Sequence, residues 1–336
     1  ELQDYTEELL MIPNQWGLIN ELGIFRNESV TQHSVIVESS EGTLGLIKDR
    51  VRGERNTVNR NRTRTTRAFP IPHFPEDDAI TPEDIQGKRA YGSADAAETL
   101  DNVRLRKIED IRNKHAATLE YARALAITTG DIYAPNGTVA ANYYTDFGVT
   151  RKEVDLVLGT GTTDVKSLFS EAVNFSQDNI KTGDLISGYT VLCDTKMFDK
   201  LIGHNTVQEA YKFYTSIQEP LREGLRSGWY RRFEYNNVEF IEYRGSYPNG
   251  DGTSSSFIPV GGGNGEGFLI PRGTRDTFIT YFSPAHKEAL VNTLGEEAYL
   301  FEYIRPRGDG RDIESESNFL NLVRRPQAIV RLYSSN

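Results

Sequence analysis

The feature that most constrains this chain is a run of three unlike segments over residues 48–129: a burst of arginine, a proline-studded stretch and one long helical pattern. The burst holds Lys48 with Arg50, Arg52, Arg55, Arg60, Arg62, Arg64 and Arg67, against Asp49 and Glu54 alone. Residues 69–82 then contain Pro70, Pro72, Pro75 and Pro82. Each proline removes a backbone donor and pushes its predecessor towards extended geometry, which predicts a semi-rigid strap rather than the centre of a sheet. Beyond it, Ala97, Leu100, Ile108, Ile111, Leu119, Ala122 and Ala126 recur near the helical period. One helix over residues 94–129 is therefore predicted, about 54 Å long. Gly92-Ser93 is placed to open it, with Asp95 and Glu98 in its early turns, and Gly130 to end it. A basic arm, a strap and a spine suit a subunit that grips its neighbours better than an enzyme.

The charge is unevenly placed. The basic burst has a local surplus of six positive charges in a chain of net −10, so the remainder carries −16. A basic arm on an acidic body can pair with another copy of itself, which is one reason to expect self-assembly. Charge alone leaves open a solvated basic loop or an arm that binds nucleic acid. The acids Asp77, Asp78, Glu83 and Asp84 sit beside the arginines as candidate partners in a neighbouring copy; a metal is the lesser reading.

At 336 residues the chain can bury a large core and form two or three domains. No apolar run approaches the ~18 residues a membrane span needs, and the acidic start does not read as a signal peptide. Cys193 is the only cysteine, so no intrachain disulfide is possible; Thr190–Cys193 reads as a buried strand.

Residues 1–30 read as an arm of short amphipathic pieces. A hairpin is expected over 31–47, with Val35, Val37 and Leu44–Ile47 in its strands and Ser39-Ser40-Glu41-Gly42 as its turn. Such a ribbon is marginal alone and orders on a partner. Helices are expected at Val165–Phe175, Lys196–Ile202 and Thr206–Tyr214, around a strand at 189–193. Strands are expected at 237–243 and 267–282, separated by a flexible Gly/Ser-rich region over 245–267. The end reads as a meander, Tyr299–Ile304, a turn at Pro306–Gly310, then Gln327–Tyr333.

Catalytic chemistry finds little support. The run Gly261–Gly267 satisfies no register of G-x-G-x-x-G and lacks the Gly-Lys-Ser/Thr ending of a phosphate loop. The five histidines are scattered without metal-ligand spacing. His115 falls on the helix stripe and is expected to be packed, while His73 is placed to anchor the strap by a hydrogen bond. No catalytic triad, metal site or cofactor is indicated. The arginines are spaced by Asn and Thr with Phe69 the one aromatic nearby, so stacking platforms for single-stranded nucleic acid are missing.

Three motifs in order carry a resemblance. The first is Phe69-Pro-Ile-Pro-His73-Phe-Pro-x-x-Asp78 with Asp84-Ile-Gln-Gly87-x-Arg89-Ala-Tyr-Gly92. The second is Leu192-Cys-Asp194-x-x-x-Phe198-x-x-Leu-Ile202, then Ala210-Tyr211 and Leu221-Arg222. The third is Thr280-Tyr281-Phe-x-Pro284 with Val291–Gly295, and Arg325-Pro326 before the final strand. Together they resemble the lambda-type major capsid proteins of tailed bacteriophages, the capsid protein E family. That resemblance implies an α+β fold shared by tailed-phage capsids and herpesvirus capsid floors. It implies an N-terminal arm at 1–30, an extended loop at 31–75, a peripheral domain from 76–135 and 296–336, and an axial domain over 136–295. Ile108, Ile111 and Leu119 would face the core of the spine. It further implies a virion protein, assembled in the bacterial cytoplasm, whose copies form hexamers, pentamers and an icosahedral shell around double-stranded DNA. Decoration protein, scaffold and portal would be its other partners, with no membrane and no cofactor.

Overall fold

A computed structural model describes residues 3–4, 17–41, 63–88, 99–134, 138–180, 185–214, 230–248, 254–258 and 264–336. In chain order, β1 is Gln3–Asp4, α1 is the single turn Leu18–Glu21, and β2 is Arg26–Ser29. Then come β3 (Ser34–Glu41), β4 (Thr63–Pro70) and β5 (His73–Ile80). The spine helix α2 covers Leu100–Thr128 and is followed by β6 (Asp131–Tyr133), β7 (Val139–Asn142), α3 (Tyr143–Phe147) and β8 (Lys152–Asp155). The middle of the chain supplies α4 (Val165–Asn179), β9 (Gly188–Cys193), α5 (Thr195–Gly203) and α6 (Asn205–Tyr214). Next are β10 (Arg232–Tyr235), β11 (Val238–Glu242), β12 (Ser246–Pro248), β13 (Ser254–Ser256) and β14 (Glu266–Arg272). The chain closes with β15 (Phe278–Phe282), β16 (Tyr299–Ile304), β17 (Arg311–Val323) and β18 (Val330–Tyr333).

Two sheets organise these elements. The first runs β1–β16–β17–β15–β2, with β5 also paired to β17. The spine packs on it: Ile108 and Ile111 meet Ile80, Leu300 and Ile313, while Leu119 meets Phe74, Phe282 and Phe319. The second sheet runs β10–β11–β9–β14–β18–β8 and buries Phe169 of α4 with Phe198 and Leu201 of α5. A shared core joins them, in which Leu192, Ile241 and Phe268 of the second sheet meet Ile279 and Leu322 of the first.

The predicted spine is present but shorter. Thr99 is extended, and its hydroxyl accepts from Asn102 N at 3.3 Å, so it caps a helix that begins at Leu100. Its 29 residues span about 43 Å. The predicted opening at Gly92-Ser93 lies outside the described residues. Gly130 ends the helix as expected, with φ of 78° and its N–H donating to Leu125 O.

Several expectations are corrected. The turn foreseen at Ser39–Gly42 is not one: β3 runs on through Glu41 and pairs with β4, Ser34 opposite Pro70 and Glu41 opposite Thr63. Leu44–Ile47 lie outside the described residues. The strap is a strand: β5 pairs with β17 from His73 opposite Asn318 to Ile80 opposite Arg311. It has no second neighbour strand among the described residues, the place where a sheet tolerates Pro75. Within the expected arm, residues 17–29 pack on the body: Leu18 and Ile19 are fully buried and β2 pairs in parallel with β15. The region 245–267 contains the β12–β13 hairpin, with Phe257 and Ile258 buried.

The longest strand, β17, does not read as one from the sequence because Glu314–Ser317 alternates acids with serines, which separates Ile313 from the apolar stretch Phe319–Val323. Ser315 and Ser317 are buried there, small enough to let the spine lie close. The run read as strands over 267–282 is two strands in different sheets, so sheet membership changes between Arg272 and Phe278. Likewise β18 leaves the expected meander and enters the second sheet between β14 and β8.

Candidate assembly surfaces

The β3–β4 ribbon pairs with no third strand among the described residues. Its alternation gives it two unlike faces. Val35 and Phe69 are cross-strand partners seated in the shared core, where Phe69 meets Tyr143 and Phe147 edge-on or tilted. Ile36 and Ala68, partners one step along, point the other way, and Ile36 is 58% exposed. Arg67 lies over the Phe147 ring at 5.3 Å, with one buried guanidinium nitrogen that has no hydrogen-bond partner among the described residues. Arg64 belongs to β4, whereas Arg50, Arg52, Arg55, Arg60 and Arg62 lie outside the described residues.

From Pro70 and Pro72 the chain enters β5, whose start is pinned as expected: His73 Nδ1 donates to Asn318 Oδ1 at 2.6 Å. Period-two alternation then divides the acids. Glu76 and Asp78 face the spine, where Lys114 bonds Glu76 and Lys107 bonds Asp78 at 2.9 Å. Asp84 accepts from Thr81 N and lies 3.9 Å from Lys107. The Thr81 N–H, then Lys107, hold its carboxyl below the usual range. Asp78 and Asp84 are thus engaged within the subunit.

Asp77 and exposed Glu83 remain available. Asp77 sits on the far face of the sheet, directly opposite Glu314 and with no hydrogen bond or ion pair among the described residues. Partial burial, then Glu314 and Glu76, push its carboxyl above the usual range. Glu316 and Asp312 share this face by alternation, with Lys287 on Glu314 at 2.5 Å and Arg305 on Asp312 at 2.7 Å. Glu314 is thus engaged within the subunit, and Glu316, 8% exposed, accepts from His286 N at 2.8 Å, so of the acids named Asp77 and Glu83 stay without such a partner among the described residues.

The spine carries a polar site that periodicity did not reveal. His115 is packed, as expected: Ser315 Oγ donates to Glu76 O and accepts from His115 Nε2 at 2.9 Å. Two turns on, Glu120 and Arg123 are each 1% exposed. Glu120 accepts from Ile19 N at 2.8 Å, Asn20 N at 3.3 Å and the Tyr243 hydroxyl at 2.6 Å. Arg123 donates to Asn20, Asn27 and Thr280 at 2.7, 2.8 and 3.0 Å. Burial pushes the Glu120 carboxyl up and the Arg123 guanidinium down to about 10. The available signal was two charges inside the otherwise apolar run Ala116–Ile127.

The glycine-rich run is no phosphate cradle where it is described. A Cβ on Gly265 would stand 2.6 Å from Met197 N, and Gly267 packs on Met197 and Cys193.

The model of the family "Phage major capsid protein E" matches residues 1–334. The chain is 44% identical to the major capsid protein of Pseudomonas phage KPP10, covering 98% of this chain and 96% of that one. It is 31% identical to the major capsid protein of Salmonella phage Felix O1, covering 98% and 95%. Among solved structures, the capsid of Myoviridae phage XM1 superposes with a TM-score of 0.55 at 11% identity, covering 94% and 91%. That of cyanophage P-SCSP1u gives 0.55 at 12% identity, covering 96% and 90%. A family match over residues 1–334 and a relative 44% identical along almost the whole chain place this protein in the phage major capsid protein E family, with the fold of tailed-phage capsids.

Proposed function

We propose that this capsid protein closes into hexamers and pentamers of an icosahedral shell, each ribbon lying across the neighbouring subunit. The observation that carries the reading is the ribbon itself. Val35 and Phe69 root it in the core, Ile36 and Ala68 face outward, and no third strand pairs with it among the described residues. A two-stranded ribbon gains stability when a partner covers it. Contacts of one surface with a different surface close into rings, and rings tile a shell.

In this reading the first sheet and spine form a peripheral domain, and the second sheet with α4 and α5 an axial domain at the capsomer centre. The arginines at 50–67 meet acids of the next copy. Asp77, on the far face of the sheet, and exposed Glu83 are the first partners to try. The shell encloses double-stranded DNA without reading its sequence, since a body of net −16 repels phosphate. Scaffold, portal and a decoration protein complete the particle, and assembly takes place in the bacterial cytoplasm.

Negative-stain microscopy of the expressed protein, with scaffold where needed, tests this. Rings or shells are expected; monodisperse monomers under every condition overturn it.

A further inference from the structure

Residues 17–29 are held to the body in two ways. Leu18, Ile19, Ile24 and Phe25 enter the shared core, and β2 lies beside β15. The rest is polar: Glu120 takes the N–H groups of Ile19 and Asn20, and Arg123 takes the side chains of Asn20 and Asn27. Gly17 enters this seat at φ of 117°, where a Cβ would stand 2.8 Å from Glu120 Oε2. Side chains are therefore excluded at the mouth of the seat on both counts.

Glu120 and Arg123 stand three residues apart on one helix, a spacing at which opposite charges ordinarily pair. Here no ion pair joins them among the described residues; residues 17–29 supply hydrogen bonds to both, beside Tyr243 on Glu120 and Thr280 on Arg123. Unseating those residues would let water and the i, i+3 pairing satisfy both charges, so the open state leaves no orphaned buried ion. Two arrangements with each charge satisfied make a bistable element. The carboxylate also accepts from Tyr243, the residue after β11 of the second sheet, so seating is felt by both sheets. Val30 follows at once and ties to Phe282 O and Gly295 N, four residues before the ribbon begins.

We infer that Glu120 and Arg123 form a latch that seats residues 17–29 as a separable strap, and that its state sets the root of the β3–β4 ribbon. The consequence for the ribbon rests on the function proposed above; the latch does not. Released, the strap frees the edge of β15 and loosens the ribbon root; seated, it holds the ribbon at one angle. A shell that places identical chains in unlike positions needs such an adjustable joint.

Hydrogen exchange of the full-length, unassembled protein tests the latch. Glu120→Ala and the pair Asn20→Ala/Asn27→Ala should each speed exchange across residues 18–29 about tenfold, since each removes hydrogen bonds worth about that factor. Amides of β9 and β14 should keep wild-type protection. Glu120→Gln, which retains an acceptor, should stay within about threefold of wild type. Unchanged protection of 18–29 in the Asn pair, which leaves every buried apolar contact intact, overturns the latch. So does loss of 18–29 together with β9, which would mean the strap does not open separately. Faster exchange at 34–41 in the same variants is expected from the coupling, and its absence overturns that part alone. Failure of wild-type protein to form shells would refute the ribbon's role while leaving the exchange result standing.

Discussion

Replacing Ile108 by Asp tests the packing of the spine. Ile108 is 1% exposed among Ile80, Val103, Ile111, Leu300 and Ile313. Deleting a buried aliphatic side chain of this size costs about 2–5 kcal/mol, counting lost transfer energy and the cavity left behind. The aspartate adds a second cost. To stay neutral at pH 7 against an ordinary pKa of about 3.9, it must give up about 4 kcal/mol, at about 1.36 per unit. The sum, about 6–9 kcal/mol, is comparable to the whole stability of a domain, about 5–15 kcal/mol. Insoluble subunits are therefore expected rather than misassembled shells. Leu105→Asp is the control: three residues earlier on the same helix, it is 56% exposed and should change stability by about 0.5 kcal/mol or less. Ile108→Val should fall between, at about 0.5–1.5 kcal/mol. Soluble fraction and urea midpoint are the assays. A soluble, shell-forming Ile108→Asp with the midpoint of Leu105→Asp would refute the packing argument.

Reversing Arg60, Arg62 and Arg64 to Glu should block capsomer formation while the monomer stays folded, and Asp77→Lys with Glu83→Lys should restore assembly; normal shells from the triple variant, seen by microscopy, would show that the arginines do not bridge subunits. Burial holds the His115 imidazole at about 4, below its ordinary 6.5. The folded state therefore resists the proton, and stability should fall as pH drops from about 6.5 to about 4, by about 3 kcal/mol in all. His115→Gln, which keeps a donor for Ser315, should lose that part of the pH dependence in urea titrations compared with wild type. Burial also pushes the Cys193 thiol well up, and the residue is fully enclosed. A thiol reagent should modify it at the rate of unfolding; rapid labelling of native protein would contradict its place in β9.

Much of the secondary structure was legible because it is local. The spine's stripe, the extended habit of the proline segment, the helices near 165–179, 195–203 and 205–214 and the buried strand ending at Cys193 each follow from side chains a few residues apart. Periodicity records which side of an element is buried. It does not record against what.

The partners came only with the tertiary structure. β3 skips its own neighbourhood to pair with β4, and β15 and β18 exchange sheets, because pairing is decided by long-range closure around a common core. The same reason divides the acids: Asp77 and Asp78 are adjacent in the chain, yet one lies opposite Glu314 and the other bonds Lys107. Glu120 and Arg123 show it most plainly. In the sequence they are a helical ion pair in waiting. In the fold each is hydrogen-bonded elsewhere, since residues 17–29, Tyr243 and Thr280 bring partners from three distant segments into one buried seat. The chain by itself determined that a long helix and an extended proline segment exist; which surfaces they seal, and which of their charges are engaged within the subunit, was decided by what packs beside them, because burial and pairing depend on residues far apart in the sequence.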